Sequence, residues 1–222
     1  MKQLSTDKYQ IAWFKLSEFI RRKQKERALG MYKLLMHSVE DDAFAKQVEA
    51  DLLHFFEESS AINAYIEAAQ MYQKKNKLAQ ATAIYEHLVL LQPKNSQFIK
   101  KLFHFYEQLN HPTRIFFSLS RLIEPIIHAE NCEALYSCNN VFLLIPSEEQ
   151  GHLYKKMVET LILHHPTHQL IAPLIEKVIT SFNQNTPKLT KIFVAHLGTI
   201  DKQYQQKALS LLKKIKNETH TH

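Results

Sequence analysis

Residues 62–95 read INAYIEAAQMYQKKNKLAQATAIYEHLVLLQPKN. In the first half, Tyr65, Ala68, Ala69 and Tyr72 fall on one face of a helix, because residues three and four apart lie above one another. The second half repeats the pattern with Ala81, Tyr85 and Leu88, and Pro93 ends it because proline cannot continue a helix. The polar break Lys74-Lys75-Asn76 is short, and short breaks join antiparallel neighbours. Ala69 and Ala81 sit where two helices approach closely. Tyr65, Tyr72 and Tyr85 fill the gap with ring area, each worth about 1.5–3 kcal/mol when buried.

The same periodicity runs outward in both directions. Upstream, Tyr9, Ala12, Trp13, Leu16, Phe19 and Ile20 form one stripe, and Ala28, Tyr32, Leu35 and Val39 the next. Phe44, Val48, Leu52, Phe55 and Phe56 form a third. Downstream, Ile99, Leu102, Phe103, Tyr106 and Leu109 mark a helix. Ile115, Leu119, Leu122, Ile123 and Ile126 mark another, which is predicted to be interrupted near Pro125. A helix over 131–144 stops at Pro146, and Ser147 opens one that runs to His164. Leu170, Leu174, Val178 and Phe182 belong to a strongly apolar helix with Pro173 in its first turn, where proline costs least. Leu189 to Leu197 form a short helix closed by Gly198. Asp201 caps the last helix, with Tyr204, Ala208, Leu211 and Ile215 inward. The expectation is all-α, with about twelve antiparallel helices, no strand of period two and no linker rich in Gly, Ser or Pro.

The 34-residue spacing of 62–95 resembles the tetratricopeptide repeat (TPR). The resemblance is strongest over 62–95, moderate over 9–125 and absent after about 130. It implies an α-solenoid, with TPR-like repeats over 1–125 and degenerate helical repeats over 126–222 that end in an amphipathic capping helix, all one continuous stack. The helix at 60–75 fits two templates, as the first helix of 62–95 or the second of a unit starting near 42. Proteins of this family hold an extended peptide or a helix in a concave groove lined by the first helices. By that resemblance the groove residues are Asn63, Glu67, Gln70 and Lys74, followed by Gln97, Lys101, His104 and Gln108. The subset that clamps a C-terminal carboxylate carries Lys and Asn where this chain has Ile66 and Gln70, so that clamp is not expected.

Composition narrows the function classes. Only 3 of 222 residues are glycine, against about 7% on average. Phosphate-cradling loops and tight hairpins need glycine at positive φ, so most nucleotide-binding α/β folds and β-barrels are disfavoured. The formal charge is +6, and nearly all the excess lies in 188–222. There Lys202, Lys207, Lys213 and Lys214 face outward on the last helix, either as the polar face of a cap or as a basic docking surface. Two cysteines, Cys132 and Cys138, are too few for a disulfide framework and read as reduced. The N-terminus lacks the apolar run of a signal peptide, and no stretch approaches the roughly 18 apolar residues of a span, so a cytoplasmic protein without membrane insertion is expected.

Thirteen histidines raise the question of a metal. His164, His165 and His168 cluster, but Pro166 breaks their register and no acid or thiol lies beside them, so an inter-helix turn is expected. His128 and Cys132 lie four apart and could share a face, yet Cys138 lies on another, so buried apolar roles are expected instead. His220 and His222 read as a frayed tail. No P-loop, HExxH or nucleophile elbow is present. No metal, cofactor or catalytic residue is therefore assigned, and the chain is not expected to be an enzyme. The function expected is a protein–protein interaction module or scaffold. The alternatives are a nucleic-acid-associated helical protein acting through its basic last helix, and an enzyme whose unfamiliar site would show as a deep cleft with convergent, perturbed polar groups.

Overall fold

A computed structural model of the chain describes residues 6–137 and 139–219. Among the described residues there are thirteen helical segments and no strand. Helices pack against their neighbours in sequence order, which is the all-α stacking expected from the periodicity. The described residues divide into two compact units, with the boundary between Leu88 and Val89.

Unit 1 contains α1 (Thr6–Arg21), α2 (Lys25–Met36), α3 (Asp42–Phe55), α4 (Ala61–Lys74) and the portion of α5 (Leu78–Leu91) up to Leu88. Ala12, Leu16, Ala28, Tyr32, Leu35 and Leu52 form one core cluster, with Tyr9 and Trp13 packed against it. Ala68, Ala69 and Ala81 are fully buried, as their small size at helix contacts predicts. Helix α4 packs extensively on α3, the pairing of a unit starting near 42, and its Tyr65 ring also meets His87 of α5. Tyrosine hydroxyls then tie helix to helix. Tyr32 donates to the carbonyl of Ala45 at 3.0 Å, Tyr65 to Asp51 Oδ1 at 2.6 Å and Tyr72 to Gln47 Oε1 at 3.0 Å.

The turns of unit 1 are built from residues that carry a Cβ. Lys23, Glu57 and Asn76 have φ near +55°. At each, the next amide reaches back five residues: Gln24 N to Phe19 O, Glu58 N to Leu53 O and Lys77 N to Tyr72 O, all 2.9 Å. These are Schellman closures, which usually take glycine. Asp41 caps α3 by accepting from the amides of Ala43 and Phe44. Its carboxylate also receives Lys75 Nζ at 3.0 Å and Lys77 Nζ at 2.6 Å, which hold it well below the usual carboxylate range.

Unit 2 contains α6 (Ser96–Leu109), α7 (Pro112–His128), α8 (Cys132–Ser137), α9 (Asn139–Phe142), α10 (Ser147–His164), α11 (Ile171–Asn185), α12 (Pro187–Ile200) and α13 (Lys202–Thr219). The helix expected over 131–144 is present as α8 and α9 on either side of Cys138, which lies outside the described residues, as do His220 and His222. Two expectations are corrected. Helix α7 passes through Pro125 without interruption, because only its last turn follows and the Ala129 amide closes that turn on the Pro125 carbonyl at 3.1 Å. Helix α12 does not close at Gly198 but continues to Ile200. It stops at Asp201, whose backbone is extended and whose carboxylate accepts from the Gln203 amide at 2.7 Å to open α13. Tyr204 secures α13 by donating to the carbonyl of Pro166 at 2.6 Å.

Gly30 lies inside α2, where close packing against a neighbour was the only evident reason for a glycine. The structure gives none: a Cβ there would meet nothing within 4 Å, and the backbone has no positive φ. Gly30→Ala is therefore expected to stabilise unit 1 by about 0.5–1 kcal/mol, by removing unfolded-chain freedom at no steric cost. A urea titration reads this directly, and an unchanged or lower midpoint refutes it.

Candidate functional site

The eight residues expected to line a groove form two exposed stripes, one in each unit. Asn63, Glu67, Gln70 and Lys74 share a face of α4, and Lys46 of α3 reaches Glu67 at 2.6 Å. Gln97, Lys101, His104 and Gln108 share a face of α6, where His104 and Gln108 are linked at 3.1 Å. Neither quartet lines the cleft found in unit 1.

That cleft is open and has a volume of about 650 Å³. Helix α3 contributes Gln47, Asp51, His54 and Phe55 to its wall, and α5 contributes Gln80, Ala83, Ile84 and His87. Tyr65 of α4 forms part of the lining between them. Three rings cluster here. The centroids of Tyr65 and His87 are 5.0 Å apart, those of His54 and His87 5.7 Å, and those of His54 and Tyr65 6.3 Å, all edge to face. Burial and the Asp51 carboxylate, which accepts the phenolic proton, push Tyr65 far above its ordinary pKa. Burial, then the neighbouring His54, pull His87 below the ordinary histidine value, so it is held neutral. The Nε2 atom of His87 is buried and has no hydrogen-bond partner among the described residues. Phe55 stands 47% exposed.

The groove assignment passed over these residues, although their spacing carries a signal. Positions 47, 51, 54 and 55 make one helical stripe, and 80, 83, 84 and 87 make another. Each mixes polar and aromatic residues, and so resembles a solvated face when its helix is read alone.

Unit 2 arranges the remaining candidates. Lys202, Lys207, Lys213 and Lys214 are exposed on α13, and none forms an ion pair among the described residues. His168 contacts the buried Cys132 thiol at 3.0 Å and accepts from the Leu170 amide at 3.1 Å. His165 lies 3.2 Å from the Ile127 carbonyl. These histidines stitch the α10–α11 turn to the end of α7 and to α8. Burial pushes the Cys132 thiol up, which makes it less reactive. The rings of His128 and His164 lie 3.9 Å apart. Among the described residues no group of three His, Cys, Asp or Glu could hold a metal ion, and no helix is long and apolar enough to cross a membrane. A second, smaller cleft of about 380 Å³ holds Lys177. Its ammonium lies 5.2 Å from the Tyr154 ring and 5.6 Å from the Tyr136 ring, and donates to Asn139 Oδ1 at 3.0 Å.

The chain matches no family model and no curated protein.

Proposed function

We propose that the chain is a TPR-like protein–protein interaction module, working in the cytoplasm, that holds a peptide or helix of a partner. The observation that carries this is the open cleft of unit 1, whose walls present exposed ring surface beside the Asp51 carboxylate and, among the described residues, the unpartnered Nε2 of His87. Open aromatic-lined clefts with a few placed polar groups fit side chains of a partner segment. The alternative of an enzyme with an unrecognised site is weaker here. The Tyr65 phenol is held protonated beside Asp51, and the cleft is open rather than a deep site closed to water. The nucleic-acid alternative keeps one supporting observation: Lys202, Lys207, Lys213 and Lys214 are exposed on α13 and form no ion pair among the described residues. It predicts binding to generic RNA that falls steeply with salt and disappears when Lys207, Lys213 and Lys214 become Glu.

The module reading is tested by selecting displayed random peptides on the full chain and comparing wild type with Ala83→Arg. Ala83 is exposed in the cleft wall, so arginine there fills the cleft without entering the core. Affinity of the selected peptides is expected to fall about tenfold or more, with helical circular dichroism unchanged. Full retention of binding rejects the cleft as the anchor. Loss with Gln70→Ala instead would return the anchor to the exposed face of α4.

A further inference from the structure

We propose that the cleft of unit 1 takes an arginine side chain of the partner, with the guanidinium against Asp51 and His87 and stacked on the exposed His54 ring. This rests on the module reading above and names the chemistry the module recognises.

The first ground is charge. Five other acids of unit 1 each hold a lysine: Asp41 and Asp42 hold Lys75, Glu49 and Glu67 hold Lys46, and Glu58 holds Lys25. Asp51 lines the cleft and has no cation within ion-pair distance among the described residues. Among the described residues its hydrogen-bond partner is the Tyr65 hydroxyl, which donates to Oδ1. A carboxylate offers about four lone-pair sites, so most of its acceptor capacity remains open towards the cleft.

The second ground is the orphaned Nε2 of His87. Neutral imidazole carries one donor and one acceptor, and in the Nδ1–H tautomer Nε2 accepts. In that tautomer a carboxylate on α3 and an imidazole acceptor on α5 call for an occupant that donates in more than one direction. Guanidinium is such a group: planar, always charged, with five N–H donors and no acceptor.

The third ground is shape. The rings of His54, Tyr65 and His87 cluster within 6.3 Å of one another, with Tyr65 buried and His54 exposed, and guanidinium stacks on the exposed ring while ammonium, compact and strongly hydrated, gains less. Ala83, Ile84 and the exposed Phe55 offer apolar surface to the three methylenes of the arginine stem. An anionic occupant would face Asp51, and a purely apolar one would leave both acceptors unmet.

The experiment uses the full chain, with the ring signals of His54 and His87 followed by NMR. The probes are N-acetyl-arginine methylamide and the citrulline, lysine and leucine analogues. The arginine compound is expected to shift both rings with a Kd of about 1–10 mM, as befits a single side chain. Citrulline, which has nearly the same shape without the charge, should bind about fivefold or more weakly. Asp51→Asn keeps an oxygen to accept from Tyr65 but removes the charge, and should weaken arginine by a similar factor while leaving citrulline unchanged. Equal binding of arginine and citrulline, equal binding of lysine, or no shift of either ring overturns the proposal. Those failures leave the module reading standing if the displayed peptides still lose affinity with Ala83→Arg. If the peptides ignore Ala83→Arg, it is the module reading at this cleft that fails.

Discussion

Phe142→Ala is expected to lower the stability of unit 2 by about 3–5 kcal/mol, the cost of removing a buried phenylalanine ring. The ring is 1% exposed. It stacks on Tyr154 with centroids 5.0 Å apart and planes at 10°, and lies 6.4 Å from Phe103 of α6. Helix α9 has four residues, and Val141 and Phe142 are the two it buries. A helix this short has no independent stability, so side-chain anchorage holds it in place. The consequences extend beyond the cavity. Tyr154 donates to Asn139 Oδ1 at 2.8 Å, and Lys177 donates to the same oxygen across the Tyr154 ring. Burial has pushed the Tyr154 phenol up to about 12, so it remains a donor at neutral pH. Loss of the Phe142 ring unseats Tyr154 and with it both hydrogen bonds. Whole domains are stable by only about 5–15 kcal/mol, so the variant sits near the folding threshold. Urea unfolding measures the effect, and Phe142→Leu should recover more than half of it. A loss below about 1 kcal/mol for Phe142→Ala contradicts this account.

Gly151→Ala should destabilise unit 2, although alanine is favoured over glycine inside a helix by about 1 kcal/mol. Gly151 lies within α10, and a Cβ there would fall 2.5 Å from Cε1 and 2.6 Å from Cδ1 of Phe182 on α11. The Phe182 ring is 1% exposed and meets the edge of His152 at 5.1 Å, so it has little room to retreat. Overpacking of this kind costs about 1–3 kcal/mol and outweighs the helix preference. Gly30→Ala is the internal control, because the identical chemical change in open space carries the opposite sign. Combining Gly151→Ala with Phe182→Leu tests the cause. Leucine vacates the space where the new methyl points, so the two losses should fall short of additive by about 1 kcal/mol. A stabilised Gly151→Ala, or strictly additive losses, would show that the ring is not what excludes the methyl.

Much of this architecture was legible in the sequence, because helical periodicity is a local signal and the stripes containing Tyr65, Tyr72 and Tyr85 are dense. Asp201 was readable as a cap for the same reason. The turns were not. Scarce glycine correctly pointed to helices, but it also suggested few left-handed residues. Lys23, Glu57, Asn76, Asn110 and Glu130 all have positive φ, and the strain of roughly 1–2 kcal/mol at each is carried by the helices packed on either side. The cleft was illegible for another reason. Asp51 and His87 lie on different helices and meet through Tyr65 of a third, so no single stretch of sequence reveals the cluster. Cys132 and His168 likewise come together only through the packing of α8 against the α10–α11 turn.

Helix α2 combines two features that matter for motion. Its N-cap, Gln24, caps no backbone amide of the first turn with its side chain, and the exposed Gly30 sits at its middle. Both lower the intrinsic helicity of a segment only 12 residues long. Its place depends on the buried face of Ala28, Tyr32 and Leu35 and on the hydroxyl of Tyr32 held by the Ala45 carbonyl. In hydrogen-exchange terms, α2 is expected to open more readily than α4, its amides exchanging through local excursions rather than global unfolding. Each excursion bares the apolar face of α2 and the surfaces of α1 and α3 packed against it. Breathing of α2 therefore shows a surface that the closed structure keeps hidden.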